Sequence, residues 1–319
     1  MEPVQESLFA PEESFPRREL AASIRALAAR GIFIGTSSWR YEGWLGQLYT
    51  PERYYTRGKF SKAKFHEECI VEYAEMFPVV GGDFSFYGPP TPEFWTKQFS
   101  IAPRELRWSL KAPEDFTVKV FPKHPRYGPK RGLWNPAFLD AGAFEAAFLE
   151  PLAPWPDRVA AVIFEFGTFS SDAYPDAHAF AADLAAFLEK LPKNFRYSVE
   201  IRNEDFLTAD YFEALRAHGA AHVFNSWSRM PALGEQIEIE EAFTAPFSVT
   251  RALLRPGRVY EQAVAAFSPY QEIRDPYPEG REALRGIMRK SMEHARQAVI
   301  HINNRLEGNA IETIRAIVD

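Results

Sequence analysis

The sequence predicts a closed (β/α)8 barrel of the TIM class, a single barrel domain preceded by an N-terminal extension. Three observations carry this expectation. Eight short apolar, β-branched runs recur along the 319 residues, most of them followed by a loop and then a helical pattern. Strands alternating with helices imply right-handed βαβ units and a parallel sheet covered on both faces, and eight units in about 270 residues is the size of a (β/α)8 barrel. Neither a GxGxxG sequence nor a P-loop occurs, although an open doubly wound sheet usually carries such a phosphate loop.

The extension covers residues 1–30, and its second half, "RRELAASIRALAAR" (17–30), predicts a helix ahead of the first strand. The barrel domain, residues 31–319, begins with "IFIGT" (32–36), followed by "VVGGDF" (79–84) and "LRWSLKA" (106–112). "AAVIFEF" (160–166), "RYSVEIR" (196–202) and "AAHVFNS" (220–226) form the middle strands, and "FSVTRAL" (247–253) and "AVIHINN" (298–304) complete the set. Helical periodicity is clear in "KFHEECIVEYAEMF", "DAGAFEAAFLEPL", "DAHAFAADLAAFLEKL", "ADYFEALRAHG", "GREALRGIMRKSMEHARQ" and "GNAIETIRAIVD". Connections at about 116–142 and 227–246 are too long for plain βα turns, and loops of that length often carry function.

Composition narrows the function. The 46% hydrophobic and 25% charged fractions are those of a soluble globular protein, and no run of about 18 apolar residues exists to span a membrane. The acidic, proline-bearing start lacks the basic flank and apolar stretch of a signal peptide, so a cytoplasmic location is expected. A lone cysteine, Cys69, has no partner for a disulfide or a thiolate metal site and is expected to pack on the apolar side of a helix. The net charge of −6 argues against broad nucleic-acid binding. One stretch runs the other way: residues 116–139 hold no acidic residue but include Lys119, Lys123, His124, Arg126, Lys130 and Arg131.

In this fold the active site lies at the C-terminal ends of the strands. Those ends carry Ser37, Ser38 and Trp39, then Asp83, Ser85 and Tyr87, then Lys111, Glu165, Glu200 with Arg202, Asn225 with Ser226, Arg251, and Asn303 with Asn304. Some of these charges have a structural alternative as buried salt bridges, Glu200 with Arg202 or Lys111 and Glu165 with Arg251. A whole ring of desolvated polar ends is better explained by a ligand, because each unpaired buried charge costs several kcal/mol.

Three chemistries fit the ring. Glu165 and Glu200 end adjacent strands roughly 5 Å apart, so their carboxylates could flank one bond with their pKa values pushed apart, as in a retaining glycosidase. Lys111 could serve as a Schiff-base nucleophile with Glu165 shuttling the proton. A divalent metal on the carboxylates is the weakest of the three, since only His301 of seven histidines falls near the rim and no HxH or HExxH spacing occurs. No GxSxG or convincing His–Asp partner supports a catalytic serine. Glu200, Glu165 and Lys111 are therefore the candidate catalytic residues of a hydrolase, lyase or isomerase that needs no other cofactor. Trp39, Tyr41, Tyr87, Arg202, Asn225, Arg251, Asn303 and Asn304 are the candidate ligand-binding residues. The aromatics with the arginines point to a small anionic partner, sugar-like or phosphorylated. The rival expectation is a non-catalytic or metal-dependent nucleic-acid-binding barrel using the basic 119–131 loop.

"IGTSSWRYEGWLGQLYTPE", "FSFYGPPTPEFW", "RWSLKAPEDFT", "YSVEIRNEDF" and "VIHINNRLEGNA" resemble, in order, the landmarks of the YecE-like family, over roughly residues 31–318. The resemblance implies a TIM barrel and leaves the activity open; a relationship to metal-dependent sugar isomerase or endonuclease barrels has been suggested for the family. It matches Gly35, Ser38, Trp39, Tyr41 and Trp44 after strand one, Phe86 and Tyr87 after strand two, and Lys111, Glu200, Arg202, Arg251, Asn303 and Asn304 beyond. The chain departs from the pattern at Gly81 and Asp83, where a Glu and an Asn are usual. It also has Val118 in place of a His, and Glu165-Phe166-Gly167 in place of Gln-Leu-Pro. These departures mark a divergent branch and weaken any inherited metal site.

Overall fold

The structure, a computed structural model, describes residues 15–319; the first part of the extension lies outside the described residues. Eight parallel strands close into a barrel: β1 (Ile32–Thr36), β2 (Val79–Gly82), β3 (Arg107–Lys111), β4 (Val159–Glu165), β5 (Tyr197–Glu200), β6 (Ala221–Ser226), β7 (Phe247–Ala252) and β8 (Gln297–Ile302). Each strand pairs with its neighbour in sequence, and β1 pairs with β8 to close the ring. The eight predicted runs are the eight strands, though several end sooner. β2 stops at Gly82 and passes into a short 3-10 turn, Asp83–Tyr87. β5 stops at Glu200, so Arg202 belongs to the following loop.

Alternation along the strands sorts the side chains. Phe33, Val79, Ala161, Ile163, Val223, Val249 and Val299 pack together in one cluster that fills the lower lumen. Trp108, Phe164, Phe224 and Ile300 belong instead to the main core shared with the helices. Phe164 there meets the rings of Phe144 and Phe187 at 5.0 and 5.1 Å between centroids. Truncating such a side chain costs about 3–5 kcal/mol through lost burial and the cavity left behind.

The helices are α1 (Arg17–Ala29), α2 (Lys62–Met76), α3 (Pro92–Ile101), α4 (Ala141–Phe144, running through a π turn into Glu150–Leu152), α5 (Ala177–Lys190), α6 (Ala209–Ala217), α7 (Tyr260–Phe267), α8 (Pro278–Glu293) and α9 (Ala310–Val318), with one further turn of helix, Leu233–Gln236, in the loop after β6. Ser61, Asp140, Asp176, Thr208 and Asn309 cap α2, α4, α5, α6 and α9 by accepting from first-turn N–H groups, each worth about 1 kcal/mol. α1 docks through buried Leu20 and Ile24, and Arg17 pairs with Glu72 and Glu75 of α2 at 2.8 and 2.7 Å. Cys69 is buried on α2, and burial pushes its thiol up to about 12. Among the described residues no helix is long and apolar enough to cross a membrane.

Candidate functional site

All eight strands point their C-terminal ends at one mouth, and the register decides what meets there. Glu165 of β4 lies beside Glu200 of β5, while Asn225, Arg251 and His301 form one row across β6, β7 and β8. Six charged side chains converge. Glu165 Oε2 accepts from Lys111 Nζ at 2.6 Å, from Arg251 Nη1 at 2.7 Å and lies 2.9 Å from Arg202 Nη2. Glu200 Oε1 accepts from Arg202 Nη2 at 3.1 Å, and its Oε2 from Arg251 Nη1. Asp83 closes the set more loosely, 3.2 Å from Arg251 Nη2 and 3.7 Å from Lys111 Nζ.

Exposure grades this cluster from floor to opening. The Glu200 side chain is 0% exposed, Arg251 4%, Glu165 7%, Lys111 9% and Arg202 15%, whereas Asp83 is 42% exposed. Burial alone would raise the Glu165 carboxyl. The charges of Arg202, Lys111 and Arg251 outweigh it and hold the group well below the usual carboxylate range. Desolvation would likewise lower Arg251, but Glu200, Asp83 and Glu165 hold it charged.

Five sequence-predicted residues thus meet: Lys111, Glu165, Glu200, Arg202 and Arg251. The others take different places. Asn225 is fully buried and donates to the Ile201 carbonyl at 3.1 Å, tying β6 to the end of β5. Asn303 and Asn304 accept from the backbone N–H of Arg305 and Ala310, so both shape the turn after β8. Trp39 lies on the helix side of the barrel, ring to ring with Trp108 and Phe84, and lines a groove with residues of α2 and α3. Tyr87 is 71% exposed, with the Arg126 guanidinium 5.6 Å from its ring. Tyr41 packs on Trp44 and Tyr270. Burial pushes its phenol up to about 12, with Arg305 opposing and Tyr270, Asp83 and Tyr260 adding to the rise.

Arg305 was not singled out by sequence, although it directly follows the Asn pair. Its Nε is buried without a hydrogen-bond partner, its guanidinium stacks 4.5 Å from the Tyr260 ring, and no carboxylate pairs with it among the described residues. The cluster itself holds three cations and three carboxylates, and Arg305 stands outside it in the turn after β8, bearing together with Asp83 on the Tyr41 phenol. Phe86 adds a ring 4.7 Å from Lys111 Nζ, and Trp227 one 3.9 Å from the Arg202 guanidinium.

Two expected chemistries need correction. A glycosidase pair must leave room for the scissile bond between its carboxylates, but Arg251 Nη1 bonds both Glu165 and Glu200. Lys111 sits between Glu165 and Asp83, the surroundings of a counter-ion and not of a free amine nucleophile. A divalent metal also fits poorly. Among the described residues no three His, Cys, Asp or Glu side chains form a metal-holding group. At position 81 a Cβ would lie 2.9 Å from the Ser37 carbonyl oxygen, which leaves no space for a carboxylate there. His301 is buried in the lumen, bonded to Ser109 Oγ at 2.8 Å, and burial followed by the Arg251 charge lowers it to about 4.

A closed (β/α)8 barrel with a paired set of charges at its C-terminal mouth is the class of protein that fold and site define. The chain belongs to the family described as "Protein of unknown function DUF72", which matches residues 33–319. The YecE-like resemblance fits this family. Two solved structures of that family share the fold. A protein from Enterococcus faecalis V583 is similar at 18% identity and a TM-score of 0.58, covering 90% of this chain and 94% of its own. One from Thermotoga maritima MSB8 is similar at 17% identity and a TM-score of 0.59, covering 90% and 97%. No curated protein matches the chain.

Proposed function

We propose that the mouth binds a small anionic ligand, sugar-like or phosphorylated, and acts on it by acid–base chemistry. The observation that carries this is the contrast within the charge cluster. Glu165 and Glu200 are held tightly below, while Asp83 alone is open to solvent, hydrogen-bonded to Arg251 Nη2 at 3.2 Å and only 3.7 Å from Lys111 Nζ. A ligand phosphate or carboxylate can take its place by the swing of one exposed side chain on a short turn. Arg305, without a carboxylate of its own, adds attraction at the same opening. Lys111 is the proposed proton donor, and Glu165, held ionised by Lys111, Arg202 and Arg251, keeps these cations aimed at the ligand. Glu200 orients Arg202 and Arg251 behind them.

The test is titration calorimetry with inorganic phosphate and hexose phosphates on the full chain, with Arg305→Gln beside it. Binding that weakens severalfold in that variant, with the melting temperature unchanged, is the expected result. Affinities unaltered by the substitution, or no anion binding at all, would refute it.

A second reading has one observation in its favour. Lys123, His124, Lys130 and Arg131 are exposed beside exposed Leu133 and Trp134, a basic and aromatic surface of the kind that binds single-stranded nucleic acid.

A further inference from the structure

Beside the mouth runs a groove of about 500 Å³, within the range of small-molecule sites. One wall is the basic loop. Its backbone is rigidly built: Asn135 N–H donates to the Lys119 carbonyl, Phe121 N–H to Leu133 and Gly132 N–H to Phe121, and the Asn135 side chain donates to the Asp115 and Val118 carbonyls. The opposite wall, Gly167 to Ala173, follows directly on Glu165. It is fixed to the loop after β5 by Asn203, which accepts from Phe169 N–H at 2.7 Å, and by Thr168 Oγ1, which donates to the Arg202 carbonyl at 3.3 Å. The groove and the charge cluster therefore share one piece of scaffold, the loop that carries Arg202 and Asn203.

The lining has two characters. Val118, Val120, Phe121 and Phe169 make it apolar, while Thr168, Ser170, Asp172, Lys119 and Lys123 bring hydroxyl, carboxylate and ammonium groups. Trp134 is 61% exposed here, a large apolar side chain left mostly in water with the Lys119 ammonium 5.8 Å from its ring. Lys123 is exposed and forms no ion pair among the described residues. An amphipathic ring with hydroxyls at its edge and an anionic substituent matches such a surface.

We infer that this groove is a subsite for the sugar ring of a sugar phosphate, the ring lying against Trp134 and its phosphate directed to the mouth. This rests on the anion-binding reading of the mouth and names its substrate class. Three probes separate the two: inorganic phosphate for the mouth, methyl hexosides for the groove, and the 6-phosphates of glucose, galactose and mannose for both together. At least one hexose phosphate is expected to bind about tenfold more tightly than phosphate, an aromatic-contact effect. Trp134→Ala should erase that gain and leave phosphate affinity unchanged, and Trp134→Phe should restore most of it. A gain that survives Trp134→Ala, or no gain over phosphate, overturns the subsite while the mouth stands. Hexosides that bind through Trp134 without any phosphate binding would instead keep the subsite and overturn the mouth.

Discussion

Asp83→Asn separates a ligand-ready mouth from a purely structural plug. Asp83 lies 3.2 Å from Arg251 and 3.7 Å from Lys111 with its side chain 42% exposed. At that exposure water screens most of the attraction: a unit pair near 3.7 Å is worth about 1 kcal/mol in water and about 4.5 kcal/mol at an effective dielectric constant of about 20. Exposed pairs retain about 0.2–1 kcal/mol net. The substitution should therefore destabilise the fold by about 1 kcal/mol or less. An anion that replaces the carboxylate must settle near it, and repulsion over about 6 Å at an intermediate dielectric constant of about 40 is about 1.4 kcal/mol, a factor of about ten in affinity. Asp83→Asn should thus bind inorganic phosphate about tenfold more tightly than the natural protein, measured by calorimetry at low ionic strength, with denaturant unfolding as the stability control. A variant that binds phosphate no better, and loses about 3–5 kcal/mol of stability as a broken buried pair does, would refute the reasoning.

Three further outcomes are expected. Glu165→Gln leaves Lys111, Arg202 and Arg251 short of a counter-ion and should cost about 3–5 kcal/mol in denaturant unfolding. Because the Glu165 carboxyl is depressed in the folded state, its contribution is present above the unfolded carboxylate range and is lost as pH falls below about 4.5 towards the folded value, so the variant should show a flatter acid limb there. His222 and His301 are buried, and desolvation lowers them to about 3 and about 4. Protons then bind the unfolded chain first, so stability should decline as pH drops from about 6.5, by a few kcal/mol before pH 4, and His301→Gln should remove part of that slope. Single-stranded oligonucleotide binding through the 119–131 loop would weaken steeply with salt. A flat salt response in fluorescence anisotropy would exclude that partner.

The fold was legible because parallel strands buried on both faces read as continuous apolar runs, and each of the eight runs carries one. Three helices were not, the shortest being the single turn Leu233–Gln236. α3, in "TPEFWTKQFSI", has Trp95 and Phe99 buried but Phe94 exposed, which blurs the apolar stripe. α7 is a short helix inside the excursion after β7. In the mouth, strand-end position found five of the six clustered charges as site residues, because inward alternation survives to the last residue of a strand. It also placed Arg202 and Asp83 in the ring of strand ends, although both stand just past their strands, but it does not tell how such loop-borne side chains turn. Asp83 arrives on a 3-10 turn and bonds Arg251, 168 positions away, while Arg305 arrives from the turn held by Asn303 and stacks on Tyr260.

β5 shows where the limit lies. Alternation assigns Glu200 and Arg202 to one side of a continuous strand, but the strand ends at Glu200, and Arg202 comes into the mouth by reaching back to that carboxylate with both Nε and Nη2. Asn203 then turns outward to hold the loop that walls the neighbouring groove. Within four residues the chain supplies the floor of the charge cluster, one of its cations and the anchor of the adjoining wall. A buried counter-ion set made only for stability needs the first two and has no use for the third. The local order Glu-x-Arg-Asn therefore couples the mouth to the groove, and a substitution such as Asn203→Ala should weaken hexose phosphate binding while sparing phosphate, because it frees the wall without touching a charge.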